Sequence, residues 1–492
     1  METTDEKSAI AKETTNARRI RYAKQCLIVL SASLTNIPSG MIQLWPNVLA
    51  SHLVRDNSTI FGSQIQLDPW QMDLVASVTQ IGSLVGFLSA GVFLSLVGRK
   101  YSLIITAIPG IFGSSLIALS VNTYMIVIGR FLDGMTVGMG NVAVFVYASE
   151  ISDVSIRGTL CMISHLLIQV GGIFNLCLGT ILSWYYMSII SVGLLLGHCL
   201  MVSTLHESPS FLAVKSRDER ALRVLRKLRA PQADVQEELC YLQKNNTTSG
   251  DSQGYRGLLQ KQHLKQIALM TGIFFIHNFC GTQVLRVNAT RQLQQLGLPM
   301  NEKYTTIMVI GVFFFGNLFM TTILDCCGRR RCIMASLLVL TVAYSSLGTF
   351  VYLLNTDPSL IEPQKYELLK FAYSVQNATL SDAITDGSAI ISIKDWLPLV
   401  LLMVAAFGHS MGIGPLVWIL PAEMFPTNLR SQGTSVCMVI GSLMMFAILQ
   451  VYSPMQATLT QAGMYWFFAS VSATGILYIY CLLKETSGER VG

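Results

Sequence analysis

Long apolar runs separated by short polar loops dominate this chain of 492 residues. A helix that crosses a lipid bilayer needs about 20 largely apolar residues, and twelve runs meet that length. The predicted helices lie near residues 25–49, 71–96, 101–120, 123–148, 159–182, 185–205, 264–285, 303–324, 332–354, 396–420, 432–453 and 462–483. Six lie on each side of a polar stretch, so the pattern predicts an all-α membrane protein of twelve transmembrane helices in two six-helix bundles.

The polar stretches also predict the domain boundaries. These are an N-terminal segment 1–24, a first bundle 25–205, a loop 206–263, a second bundle 264–483 and a tail 484–492. Within the loop, Leu222, Leu225 and Leu228 recur at three-residue spacing with basic residues between them. This spacing predicts a short amphipathic helix that lies on the cytoplasmic face.

Composition and charge placement support a membrane protein. Hydrophobic residues make up 52% of the chain and charged residues 13%, against about a quarter charged in a soluble domain. The net charge of +6 does not indicate a nucleic-acid partner, because the lysines and arginines crowd into alternate loops. Their placement predicts a multi-pass protein of the cell membrane with both termini cytoplasmic, without a cleaved signal peptide. The opposite loops carry glycosylation sequons at Asn57, Asn288 and Asn377.

The sequence offers little for covalent or metal chemistry. Most of the eleven cysteines stand singly inside apolar runs, where a thiol behaves as a small hydrophobe. Cys326 and Cys327 have no partner at the spacing of a zinc site. A phosphate-binding loop of the G-x-x-x-x-G-K type is absent from the sequence. We therefore predict neither a metal nor another cofactor, and we expect that the protein is not an enzyme.

Each half carries the same charged signature at its helix ends. The first half has Gly98-Arg99-Lys100 with Glu150 and Arg157, and the second has Gly328-Arg329-Arg330 with Glu423 and Arg430. Two bundles that rock about a central site must close one mouth while they open the other, and ion pairs between helix ends can act as a bistable latch. The arginines alone would fix the topology, but the glutamates are not needed for that. The signature therefore predicts a conformational latch.

Arg130 and Asp133 interrupt the fourth predicted helix. Their spacing of three residues places them on one face, which predicts a local ion pair that makes Arg130 tolerable in the membrane. An alternative role for Asp133 is to carry a proton in a coupled symporter.

The chain resembles the sugar porter family of the major facilitator superfamily from about residue 25 to 486, and it is most similar to the insect trehalose and sugar transporter branch. The motifs that carry the resemblance are Gly98-Arg99-Lys100, Gly129-Arg130-Phe131, Glu150 with Arg157-Gly158, Glu207-Ser208-Pro209, Asp325 with Gly328-Arg329-Arg330, and Gly412, Gly414, Pro415 and Trp418 with Glu423 and Arg430. The resemblance implies the major facilitator fold. It also adds Asp325 to the latch residues.

The resemblance further implies a substrate path between the halves, lined by polar residues of the fifth, seventh, eighth and tenth helices. The residues at or near those positions are His165, Gln169, His277, Asn278, Gln283, Asn317 and Trp418, with His409 as a further lining residue. The chain departs from the family at several of them, since His165 replaces a glutamine and Phe313 stands where an asparagine is usual. For each polar residue, packing against a neighbouring helix is an alternative to substrate contact.

The predicted function is facilitated transport of a sugar, either trehalose or a hexose, by alternating access. The implied partners are a small-molecule substrate and the lipid bilayer, without nucleic acid or an obligate protein partner. The histidines and Phe313 leave open a porter for a non-sugar organic solute. Proton-coupled members of the family carry an acid in the first helix, and its absence between Cys26 and Leu49 favours uniport over symport. A non-transporting membrane sensor is a further alternative.

Overall fold

The computed structural model describes residues 15–53, 59–153, 156–229, 235–240, 258–296, 300–356, 393–425 and 430–483. Regular structure in these segments is almost entirely helical. The first bundle comprises α1 (Thr15–Ala32), α2 (Asn36–Leu53), α3 (Pro69–Leu96), α4 (Arg99–Ala118), α5 (Thr123–Ile151), α6 (Arg157–Gly179) and α7 (Trp184–Ser203). A single 3₁₀ turn, Ser33–Thr35, joins α1 to α2, so the two form one long span.

Two short helices follow the first bundle, α8 (Pro209–Val214) and α9 (Asp218–Leu228). The second bundle comprises α10 (Lys261–Phe279), α11 (Thr282–Val287), α12 (Ala289–Gln295), α13 (Glu302–Cys327), α14 (Arg329–Thr356), α15 (Ile393–Ser410), α16 (Ile413–Met424), α17 (Arg430–Gln450) and α18 (Tyr452–Leu482). Helices α10 to α12 together form the seventh span, and α15 with α16 form the tenth.

Nine of the described helices are long and apolar enough to cross a membrane. Two shorter apolar helices, Ile163–Gly179 and Trp396–Ser410, lie in the fifth and tenth spans. Helix α10, which begins with Lys261, supplies the seventh. The prediction of an all-α protein with twelve spans in two bundles is confirmed, although the predicted end of the seventh span at residue 285 was wrong because its helices continue to Gln295.

The seventh span is broken at Gly281. This residue has a φ of 88°, and a Cβ atom there would lie 2.4 Å from the ring of Phe468. Both the left-handed backbone and the close ring favour glycine. The break redirects the chain into α11, so the side chains of α11 enter the space between the bundles. Discontinuous helices of this kind form the binding sites of many transporters.

The short amphipathic helix that the leucine spacing predicts in the loop is present as α9. Ala221, Leu225 and Leu228 are buried, and Leu222 is only partly covered. Ala221 and Leu225 pack with Leu212 of α8. The apolar face of α9 therefore packs on α8, and its place on the cytoplasmic face of the membrane stays a prediction.

Arg130 and Asp133 do not form the predicted direct ion pair. Arg130 donates hydrogen bonds to the carbonyl oxygens of Ile42 at 2.6 Å and Val75 at 3.2 Å, and its guanidinium lies over the ring of Trp45. Asp133 accepts a hydrogen bond from Ser114 at 2.8 Å. Backbone oxygens rather than the carboxylate thus satisfy Arg130, which ties α5 to α2 and α3.

Candidate functional site

The two bundles meet closely at one end of the molecule. We call this end the sealed face and define it by Asp73, Arg291 and Ser453. We call the other end the basic face and define it by Arg99, Glu150 and Glu207. The candidate binding site lies between the two bundles, where α11 approaches α6.

An ion pair between the bundles closes the sealed face. Oδ1 of Asp73 in α3 lies 2.6 Å from a guanidinium nitrogen of Arg291 in α12. Arg291 also donates to the hydroxyl of Ser453 at 3.0 Å, and the backbone N–H of Ser453 donates to Oδ2 of Asp73 at 2.7 Å. Asp73 is fully buried, and the side chain of Arg291 is 14% exposed. Both oxygens of the buried carboxylate are satisfied, as a buried charge requires.

Further hydrogen bonds between the bundles surround this pair. The side-chain amide of Asn47 in α2 donates to the carbonyl oxygen of Arg286 at 3.1 Å and accepts from the backbone N–H of Thr290 at 3.0 Å. Ser77 in α3 donates to Gln450 in α17 at 2.8 Å. These contacts hold α11, α12 and α17 against the first bundle.

The contacts at the basic face join parts of the first bundle and its loop. Glu150 pairs with Arg99 at 2.7 Å and also accepts from the hydroxyl of Ser208. The backbone N–H groups of Arg99 and Lys100 donate to Glu207 at 2.9 and 3.1 Å, so a carboxylate caps the start of α4. Gly98 has a φ of 95°, and a Cβ there would lie 2.5 Å from Glu207.

The remaining latch residues are located only in part. Arg329 begins α14. The side chains of Arg157, Asp325, Glu423 and Arg430 lie outside the described residues, so the latch stays a prediction. The sequon residues Asn57 and Asn377 also lie outside them. Asn288 is 3% exposed, at the joint between α11 and α12, so its sequon does not lie in an exposed loop as predicted.

A network of neutral polar groups forms the part of the site contributed by the second bundle. Nδ1 of His277 donates to the carbonyl oxygen of Ile413 at 3.2 Å, because a carbonyl only accepts. Nε2 of His277 then accepts from the side-chain amide of Gln283 at 2.8 Å. His277 and Gln283 are both buried. The imidazole is therefore held in one tautomer by partners on each side.

His409 and Trp418 extend this network across α15 and α16. Nδ1 of His409 lies 2.7 Å from the hydroxyl of Thr282, and its ring centroid is 5.2 Å from that of His277. The ring of Trp418 stands edge-on to His277 at 6.0 Å. An indole beside imidazoles and an amide offers an apolar face next to hydrogen-bonding groups.

The first bundle contributes α6, through Gln169 and His165. Oε1 of Gln169 accepts a hydrogen bond from the guanidinium of Arg286 at 3.2 Å, which links the two bundles at the site. His165 lies one turn earlier on α6 and is exposed. The structure thus brings His165, Gln169, His277, Gln283 and Trp418 together around α11.

Asn278 and Asn317 do not join this group. The side-chain amide of Asn278 donates to the carbonyl oxygens of Phe274 at 2.8 Å and Gly441 at 3.4 Å. That of Asn317 donates to the carbonyl oxygen of Phe313, one turn earlier, at 2.9 Å. Carbonyl oxygens of helices thus accept hydrogen bonds from both side-chain amides, which favours a packing role for Asn278 and Asn317.

Residues 35–491 match the family described as "Sugar (and other) transporter". This chain belongs to that family. The chain is 25% identical over 488 residues to the "Facilitated trehalose transporter Tret1" of Anopheles gambiae, with 99% of this chain and 57% of the relative covered. It is 24% identical to the "Facilitated trehalose transporter Tret1-2 homolog" of Drosophila simulans, with 95% and 89% covered. The chain therefore spans little more than half of the first relative and most of the second.

Among solved structures, the transporter is similar to the xylose transporter XylE from E. coli in an inward open conformation. The TM-score is 0.71 at 18% identity, with 94% of this chain and 98% of that chain covered. At this identity the likeness establishes the fold, which is the major facilitator fold that the resemblance implies.

The site of this transporter is suited to reversible binding. Groups of three metal-ligating side chains do not occur among the residues that the structure describes. Amide, imidazole and hydroxyl groups supply donors and acceptors, Trp418 supplies an apolar surface, and Arg286 supplies a positive charge. Such a set can recognise a polar solute without breaking a covalent bond.

Sequence reasoning missed two features of the transporter. Arg286 and Arg291 follow the predicted end of the seventh span at residue 285, and Asp73 lies inside the predicted span 71–96, so none of the three was predicted to be a functional residue. The available signal was charge inside a predicted span, at Asp73, or directly after one, at Arg286 and Arg291, because a charge in lipid is costly and requires a partner or a function. The partner of Asp73 is separated from it by 218 residues, so the pairing itself is not visible in the sequence.

Proposed function

We propose that this transporter moves a sugar across the cell membrane by facilitated diffusion, with alternating access to a site between its two bundles. The observation that carries the proposal is the set of amide and imidazole groups around α11 next to the indole of Trp418. Sugar hydroxyls need both donors and acceptors in a site from which water is excluded. One face of a sugar ring is apolar and packs on an aromatic surface.

The contacts between the bundles support alternating access. The ion pair of Asp73 with Arg291 and the two hydrogen bonds of the Asn47 side chain hold the bundles together on one side of the site. For a solute to pass, these contacts break while others form at the basic face. We propose that the basic face is cytoplasmic, as the arginine-rich loops favour, and that the Glu and Arg signature of both halves latches it when it closes.

The position of Asp133 supports uniport. Its carboxylate bonds Ser114 within the first bundle at 2.8 Å, and Gly113 packs against it. A proton carrier must reach both sides of the membrane in turn, whereas this group is packed between α4 and α5. The first span also lacks an acid between residues 15 and 53.

Uptake by the full chain in proteoliposomes tests the proposal. The panel contains trehalose, glucose, fructose and a polyol, with empty liposomes and an Asp133→Asn variant alongside. We expect saturable flux of at least one sugar that equilibrates and does not accumulate under an imposed pH gradient. Uphill uptake that Asp133→Asn abolishes would show proton coupling instead. Flux of a non-sugar solute alone contradicts the sugar assignment, and binding of a sugar without any flux favours a sensor.

A further inference from the structure

Arg286 is a cation in the candidate binding site, and none of the carboxylates that the structure describes forms an ion pair with it. It lies on α11, and its single hydrogen bond to a described residue goes to the neutral amide oxygen of Gln169 at 3.2 Å. A guanidinium has five N–H donors. Several described residues have a buried side-chain nitrogen or oxygen without a hydrogen-bond partner, but no nitrogen of Arg286 is among these atoms. The N–H donors of Arg286 that do not bond Gln169 are therefore accessible to solvent.

The acidic side chains of the described spans are engaged elsewhere. Asp73 pairs with Arg291, and Asp133 bonds Ser114 in the first bundle. Glu302 lies in the first turn of α13 and has interactions of its own. No described carboxylate lies within ion-pair distance of Arg286. A charge held away from bulk water is costly unless an opposite charge accompanies it.

The other ionisable groups near Arg286 make the site more favourable for an anion. His165, His277 and His409 all lie within electrostatic reach of the arginine. None of them can supply negative charge at physiological pH. A solute that enters this site therefore meets the permanent positive charge of Arg286 and the hydrogen-bonding groups that surround it.

We propose that the solute carries a carboxylate, which Arg286 binds, on a polyhydroxylated body, which Gln283 and His277 bind. The planar fork of a guanidinium matches a carboxylate in a bidentate fashion. A phosphate monoester fits less well, because it carries about −1.5 to −2 charges at neutral pH against the single permanent cation. The inference rests on the proposed sugar transport and narrows the cargo to sugar acids.

Gln169 then has a defined role beside Arg286. Its amide oxygen occupies one donor of Arg286 and holds the guanidinium between the bundles. A carboxylate is a stronger acceptor than an amide, so the solute can use the donors that the amide leaves open. Because Gln169 belongs to the first bundle and Arg286 to the second, a carboxylate bound to Arg286 lies where the two bundles meet.

A matched pair of ligands tests the inference on the full chain. Glucose and glucuronate share the same ring and differ in a carboxylate at one position. Binding is measured by competition on the purified protein, and transport by counterflow in proteoliposomes. The wild type is expected to bind glucuronate at least about tenfold more tightly than glucose, since hydrogen bonds to charged groups give that range. Equal binding of the two ligands overturns the inference.

Three variants assign the preference to this site. Arg286→Gln is expected to abolish the preference for glucuronate, and Arg286→Lys is expected to keep part of it, because lysine keeps the charge and loses the fork. Gln169→Glu places a carboxylate beside Arg286 and is expected to lower glucuronate affinity by competing within the protein. Arg223→Gln is the control, since that side chain is 70% exposed on α9. Persistence of the preference in both Arg286→Gln and Gln169→Glu overturns the assignment.

The outcomes separate this inference from the proposed function. Flux of neutral sugars without binding or flux of glucuronate overturns the sugar-acid inference and leaves sugar transport standing. Flux of simple carboxylates such as lactate, without flux of any sugar or sugar acid, overturns sugar transport while it supports Arg286 as the anion site. Loss of the thermal transition in an Arg286 variant is checked first, and Gln169→Glu then carries the test.

Discussion

At the sealed face the carboxylate of Asp73 in the first bundle meets the guanidinium of Arg291 in the second, whereas at the basic face Glu150 meets Arg99 of its own bundle. Both pairs are close, at 2.6 and 2.7 Å. They differ in what must happen to them during transport. A pair between bundles breaks when that face opens, while a pair within a bundle can persist as the bundle moves.

The difference in burial matters as much as the difference in connectivity. Asp73 is fully buried, whereas the side chains of Arg99 and Glu150 are each 17% exposed. Loss of one partner from a buried pair leaves an uncompensated charge and costs about 3–5 kcal/mol, and a more exposed pair is worth less. We therefore expect the sealed-face pair to dominate the equilibrium between conformations and the basic-face pair to position helix ends.

The largest effect is expected from Asp73→Asn. This change leaves Arg291 without its counter-ion at the sealed face and favours conformations in which that face is open. Hydrogen exchange of the backbone amides of α12, including the Thr290 amide that bonds Asn47, should accelerate by about a hundredfold or more if the pair contributes about 3 kcal/mol or more. Exchange is followed by mass spectrometry on peptides that cover α12.

Glu219→Gln serves as the control for Asp73→Asn, because the side chain of Glu219 is 94% exposed on α9. A double variant with Asp73→Arg and Arg291→Asp should recover part of the protection by restoring the pair in reverse. Equal protection of α12 in the wild type and Asp73→Asn contradicts the role given to this ion pair.

A smaller effect is expected from Glu150→Gln at the basic face. The change removes the charge that Arg99 and Ser208 share, at a cost of about 1 kcal/mol for a partly exposed pair. Turnover should fall several-fold, while substrate affinity stays within about threefold and the exchange of α12 is unchanged. Counterflow rates and equilibrium binding measure the two quantities separately.

Glu423→Ala and Arg430→Ala carry the same prediction for the latch of the second half. Each should slow cycling more than it weakens binding. Turnover that matches the wild type in all three variants would remove the latch from the mechanism and leave the signature as a determinant of topology. Faster exchange of α12 in Glu150→Gln would show instead that the two faces are not independent.

Much of the fold could be predicted because membrane insertion imposes a one-dimensional signal. Each span needs a long apolar run, and the runs stand in order along the chain. The break of the seventh span at Gly281 was not predicted, because the sequence does not show that the ring of Phe468 lies against this glycine. The polar residues after the break therefore looked like the end of the seventh span.

The candidate site divides in the same way. His277, Gln283 and Gln169 were predicted from the family resemblance, which points to polar residues inside apolar runs. The pairing of Asp73 with Arg291 depends on contacts between distant segments, and so does the distance of Arg286 from the described carboxylates. The leucine spacing predicted which face of α9 is apolar, but it did not predict that this face packs against Leu212 of α8.

The smallest expected effect concerns His206, which lies at the basic face between α7 and α8. Partial desolvation lowers the pKa of His206, and the charges of Lys227 and Lys100 lower it further. The ammonium of Lys227 lies 3.3 Å from Nε2 of His206, which can accept a hydrogen bond only while the imidazole is neutral. As the pH falls below the ordinary histidine pKa of about 6.5 and through the lowered value, protonation removes this bond. The contribution of His206 to the stability of the basic face should then be lost.

A histidine titration followed by NMR checks this prediction, with His206→Asn to assign the resonance. Lys227→Gln should raise the pKa of His206 toward its ordinary value, because one repelling charge is removed. A pKa of His206 that is already ordinary in the wild type, or one that Lys227→Gln leaves unchanged, contradicts the prediction. Because His206 is exposed, the effect on turnover between pH 7.5 and 5.5 should be smaller than that of Glu150→Gln. An effect of that size would indicate that charges at the basic face affect how the loop packs on the first bundle. The contacts of the sealed face would then be the ones that hold the two bundles together.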